Sequence, residues 1–141
     1  MSVVNAAAVD IALVGALAAD ATLTALVPDG IWLDVGTRNM TRYVVVQHQI
    51  HTDDDGFGGT LYETFRYRIT ARVLQTTGGD VNAAADRIHQ ILQDQLLTIA
   101  GYTHGSTLRV ERVKTTEIDP VDNDIRWQVA GGDYELFVSP N

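Results

Sequence analysis

Few residues in this chain have the chemistry to hold an ion or run a reaction. Asp53-Asp54-Asp55-Gly56 sets three carboxylates in a row, the donor type that calcium takes. An EF-hand loop spaces its ligands at alternate positions and ends in a bidentate Glu at the twelfth. Here the acids are consecutive, and the twelfth position counted from Asp53 is Thr64. The run therefore reads as a solvated hairpin tip. His48 and His51 are the nearest imidazoles in sequence, but a three-residue offset begun on a strand sends the two rings to opposite faces. His89 and His104 have no partner at zinc-site spacing, so all four read as surface or boundary histidines. The serines are Ser2, Ser106 and Ser139, none of them in a Gly-x-Ser-x-Gly elbow. Gly56-Phe57-Gly58-Gly59 lacks the Lys and the following helix of a phosphate loop. With no cysteine, disulfides, thiolate metal sites and cysteine nucleophiles are excluded, and no oxidising compartment is indicated. The expectation is a protein with no catalytic residue, no metal ligand set and no cofactor.

The strongest positional pattern lies in Thr60 to Leu74. Leu61, Phe65, Tyr67, Ile69, Ala71 and Val73 share one parity, and Thr64, Arg66, Arg68, Thr70 and Arg72 the other. This predicts a long strand with one dry face and one basic face, about three times the usual strand length. The basic row has two readings. It is either the solvated outer face of an antiparallel sheet or an intersubunit surface, because Arg is favoured at interfaces and the rest of the chain is acidic. In the second reading Arg66, Arg68 and Arg72 meet another copy, with Asp53, Asp54 and Asp55 as an acidic rim loop.

The elements that hold these residues follow from periodicity. Val9, Ala12, Leu13, Ala16 and Leu17 repeat at helical spacing after a candidate cap at Asn5. Asp20 caps a further turn carrying Leu23 and Leu26, and Pro28-Asp29-Gly30 stops it. Ile31–Val35 predicts a short strand and Tyr43–Ile50 a firmer one, its valines suggesting burial on both faces at the start. His51–Gly59 predicts a protruding polar loop that joins it to the long strand as a hairpin. Gly78-Gly79-Asp80 ends that strand and caps a second helix with the stripe Val81, Ala84, Ala85, Ile88, Leu92, Leu96 and Ile99, closed by Gly101. Leu108–Thr116 is a further strand, 119–124 a turn and Ile125–Val138 the last strand. The last strand's apolar parity switches between Val129 and Tyr134, which predicts a β-bulge at Gly131-Gly132.

This order of elements predicts a single α+β domain over residues 1–141, an antiparallel sheet of about four to five strands with two helices packed on one face. At 141 residues the chain can bury about two thirds of its unfolded surface without a staple. Ala6–Ala21 is apolar, yet Asp10 and Asp20 interrupt it and no Lys or Arg precedes Arg38. It thus reads as neither a signal peptide nor a membrane span. The net charge of −8 opposes gripping nucleic acid, since that affinity comes from cations displacing counterions.

Several strings resemble the tail-completion, or tail-terminator, proteins of long-tailed bacteriophages. They are Ala16-Leu17 and Leu23–Val27 of the opening helical region, Asp29-Gly30-Ile31-Trp32, Arg42–Gln47, Phe65–Val73, the helix around Ala85, Ile88 and Leu92, Arg126–Val129 and Tyr134–Val138. The resemblance spans nearly the whole chain, and none of its motifs is catalytic. The chain departs from the family pattern in its acidic stretch Thr52–Gly59 and in the glycine pair of the last strand. The resemblance implies a structural virion protein, assembled in the host cytoplasm. It would form a homo-hexameric ring at the head-proximal end of the tail tube, end tube polymerisation and offer the joining surface for the head or neck. The implied partners are other copies, the tail-tube protein and a head-closure protein, with DNA passing through an acidic lumen unbound. A ring needs a heterologous interface, one patch against a different patch. Rival readings are another neck component (head-closure or connector protein), a monomeric binding module, and a small hydrolase built on His48 or His89 with a carboxylate.

Overall fold

The computed structural model describes residues 6–34, 40–56, 59–74, 79–94, 96–122 and 124–141. The elements are α1 (Ala6–Ala18), α2 (Ala21–Leu26), β1 (Ile31–Leu33), β2 (Arg42–Gly56), β3 (Gly59–Leu74), α3 (Gly79–Asp94), β4 (Thr98–Ile99), β5 (Tyr102–Ile118) and β6 (Arg126–Pro140). They build one six-stranded curled sheet in the order β1-β2-β3-β6-β5-β4. The sheet is mixed, because β1 runs parallel to β2 through Ile31↔Val44 to Leu33↔Val46 while the remaining pairs are antiparallel.

The expected antiparallel sheet of four to five strands carrying two helices is therefore wrong in strand number, strand direction and helix number. The physical causes are local. Asp20 sits in extended backbone and accepts the Leu23 N–H at 2.8 Å, so it begins a separate α2. α3 ends at Asp94, leaving Leu96 exposed and moving Ile99 into β4. Gly101, with φ +83°, then makes the tight β4–β5 turn in place of a helix stop. Asp80 lies inside the first turn of α3, where it pairs with Arg42 at 2.8 Å.

One face of the sheet carries Val44, Val46, Phe65, Tyr67, Ile69, Ala71, Val73, Tyr134, Leu136 and Val138 into a core shared with all three helices. α1 supplies Val9, Leu13 and Leu17, α2 supplies Leu23, and α3 supplies Val81, Ala84, Ile88 and Leu92, all essentially inaccessible. The Tyr67 hydroxyl donates to Asp10 across this core, and burial with that carboxylate pushes its pKa up. Arg87 of α3 grips the α2 cap at Asp20 through contacts of 2.6 and 3.0 Å. That guanidinium, with the Leu23 N–H, holds the Asp20 carboxyl below its usual range.

Strand parity carries two surprises. The ladder between β3 and β6 runs without a shift from Glu63↔Val138 to Leu74↔Trp127, so β6 has no bulge at its glycine pair on that side. A Cβ on Gly131 would stand 1.9 Å from the Ile69 carbonyl oxygen, so this glycine serves close strand approach. The register shift near it belongs to β5, between Arg109 and Glu111. β2 shifts between His48 and Ile50. The stretch expected as a protruding loop continues as strand to Gly56 and pairs with β3, while Phe57 and Gly58 lie outside the described residues.

Candidate assembly surface

Arg66, Arg68 and Arg72 stand together on the sheet face opposite the helices, as alternation dictates. Their partners come from their own chain. Asp133 of β6, whose side chain is 2 % exposed, lies between two of them. Arg68 reaches it through Nε at 2.9 Å and Nη2 at 3.2 Å, and Arg66 through Nη2 at 3.4 Å. Arg68 and then Arg66 hold the Asp133 carboxyl below the usual range against the opposing effect of burial, and Asp133 in turn raises the Arg68 pKa. Arg72 pairs with Glu117 of β5 and lies over the Trp127 ring at 5.7 Å. Trp127 meets Tyr43 edge to face at 5.8 Å. Ion pairs on this face thus tie β3 to both strands of the β5–β6 hairpin.

Asp53 to Asp55, read as an acidic rim, belong to the outer part of β2. Asp53 pairs with Glu63 in the β2–β3 ladder, at the far end of β3 from Arg72. Asp54 and Asp55 follow it in the same strand, paired with Tyr62 and Thr60.

The bulge at Gln49 reverses the expected geometry of the histidines. It returns His48 and His51 to the same face, with ring centroids 6.2 Å apart. His48 stacks on Tyr67 at 4.9 Å and His51 on Phe65 at 4.1 Å. The His51 Nε2 lies 2.6 Å from Glu63 Oε1 and 3.3 Å from Asp53 Oδ1, making these three the potential ion ligands among the described residues. His104 is buried, with Nδ1 accepting the Leu97 N–H at 2.8 Å and Nε2 facing the Ser106 carbonyl at 3.0 Å. This fixes the proton on Nε2, and burial lowers the His104 pKa.

A second cationic group escaped the sequence reading. Arg109, Arg112 and Lys114 of β5 line a cleft of about 320 Å³ with Asn82 and Asp86 of α3. Simple alternation places Arg109 and Arg112 on opposite faces, and only the shift at Val110 brings them together. The sole local signal is cation density.

β5 is the most exposed strand. β4 covers it only at Tyr102 and Thr103, so from Ser106 to Ile118 its outer edge has no neighbouring strand among the described residues. Leu108, Val110 and Ile118 are each roughly half exposed there. A long edge with apolar side chains invites pairing with another chain. α1 adds Ile11, 72 % exposed, beside Val14 and Leu33 in a shallow apolar depression.

No curated protein matches the chain in sequence. Among solved structures it is similar to a chain from the virion of a native gene transfer agent particle. That match has a TM-score of 0.76 and 18 % identity, covering 95 % of this chain and 96 % of that one. At such identity the likeness establishes a shared fold. The family model for tail completion protein gp17 matches residues 11–128. The chain is thus a structural, tail-associated virion protein and belongs to the tail completion protein gp17 family.

Proposed function

We propose that the protein works as a homo-hexameric ring at the head-proximal end of a phage tail tube, where it ends tube polymerisation and presents the joining surface for the head or neck. The observation that carries this reading is the uncovered outer edge of β5 with its half-exposed Leu108, Val110 and Ile118. Such an edge is a hazard in a free monomer and a ready interface in a ring. The apolar depression on α1 is a second patch, different from the first, as head-to-tail contact requires. The arginine row, already paired at home, contributes at its exposed side, where Arg68 retains 40 % of its side-chain surface. Asp53 to Asp55 stand at the rim. The protein acts by shape, without catalysis. With its net charge of −8 it lets DNA pass through the lumen unheld.

Light scattering over a range of concentrations, with negative-stain images of the eluted material, tests the ring. Annular particles near six times the 15.4 kDa subunit are expected, and Leu108→Lys should shift them to folded monomer. Monomer at every concentration, with and without tail tubes, would refute the ring. Imaging particles that lack the protein separates the roles: overlong tails support termination, whereas normal, unattached tails point to head closure.

A further inference from the structure

We propose that His51, Asp53 and Glu63 form a binding site for a divalent transition-metal ion of the zinc class, which fastens the outer part of the β2–β3 hairpin. The donor set is one imidazole nitrogen and two carboxylates, with ligand atoms all within 4.8 Å of one another. Borderline ions such as Zn²⁺ and Co²⁺ accept this mixture, whereas Ca²⁺ and Mg²⁺ prefer oxygen alone. In a tetrahedral site with bonds of about 2.0–2.1 Å, neighbouring ligand atoms stand about 3.3 Å apart. The His51–Asp53 separation is 3.3 Å, and the His51–Glu63 separation of 2.6 Å widens once an ion takes the place of that hydrogen bond.

Glu63 supplies the independent observation. It is wholly inaccessible on the dry face of β3, and its Oε2 has no hydrogen-bond partner. A buried carboxylate oxygen without a donor is unfavourable, and a cation beside the cluster satisfies it. The scaffold is rigid where it must be. Asp53 and Glu63 are direct ladder partners, and His51 is held flat on Phe65. Asp53, half exposed at 52 %, leaves a path for the ion and a position for water. The site exists because the bulge at Gln49 turns His51 to the face that carries Glu63.

The test is calorimetric titration of the full, tag-free chain with Zn²⁺ after dialysis against a chelator, with Co²⁺ absorption as a second readout. Expected are one ion per chain, a Co²⁺ d–d spectrum and a rise in melting temperature with Zn²⁺. His51→Gln, Asp53→Asn and Glu63→Gln should each weaken binding by at least about tenfold. Asp53→Asn alters a half-exposed side chain and so decides the matter even if Glu63→Gln does not fold. Absence of stoichiometric binding would overturn the proposal. So would binding that survives all folded variants, which would locate the ion elsewhere in the acidic stretch.

Discussion

Replacing Asp133 by Asn tests whether the carboxylate under the arginine row is structural. The change is nearly isosteric and removes only the charge. In the parent, Asp133 accepts contacts of 2.9, 3.2 and 3.4 Å from two guanidiniums. Breaking a fully buried ion pair costs about 3–5 kcal/mol. Here only the acid is buried, and Arg66 and Arg68 keep 27 % and 40 % of their side-chain surface in water. Both can turn outward, which lowers the expected loss to about 2–3 kcal/mol, or about 8 °C in Tm at this chain length. Urea denaturation at pH 7 measures it. A cycle with Arg68→Ala adds a second requirement: the Asn substitution should cost less than half as much in that background, since only the longer Arg66 contact remains. The pH dependence has a definite sign. The Asp133 pKa is lowered on folding, chiefly by Arg68, so its contribution is present above the unfolded carboxyl pKa and is lost as pH falls through the lower folded value. The variant should therefore lose part of the parent's acid sensitivity below about pH 4. A loss under about 0.5 kcal/mol, the scale of an exposed pair, with no coupling to Arg68, would refute the argument.

Gly131→Ala should be among the most damaging single changes, costing about 3 kcal/mol or more in chemical denaturation, because the new methyl meets the Ile69 carbonyl of a packed central strand. His104 is held neutral by burial with its pKa lowered, so stability should be full above about pH 6.5 and fall as pH drops through that value toward the folded pKa. Thermal melts of His104→Gln should lack this component. Asp20→Ala removes both the α2 cap and the Arg87 pair and should cost about 1–2 kcal/mol at pH 7. As the Asp20 pKa is lowered, the gap between parent and variant should close in acid as Asp20 protonates, which paired melts at pH 7 and pH 3 will show.

What the sequence determined by itself was local. From Glu63 to Val73 the two parities became the dry and basic faces of β3, because side-chain direction in a strand is set by the pleat and needs no partner. Val9, Leu13 and Leu17 were legible as a buried stripe for the same kind of reason, and Asp20 as a cap because its side chain and the N–H it accepts are three residues apart. The tail-completion family was legible from strings spread along the chain. Tertiary structure decided whatever depends on two strands meeting. The parallel β1 and the two-residue β4 are too short to carry a period. The shifts at Gln49 and Val110 reversed parity and so brought His51 to Glu63 and Arg109 to the side of Arg112. The glycine pair looked like the bulge itself, yet one glycine is the clearance for a neighbouring backbone and the shift lies across the ladder in β5. The arginine row was visible, but its acid Asp133 is more than sixty residues away. Only pairing of β3 with β6 puts the two within reach, because an ion pair is fixed by distance in space and sequence periodicity reports only direction.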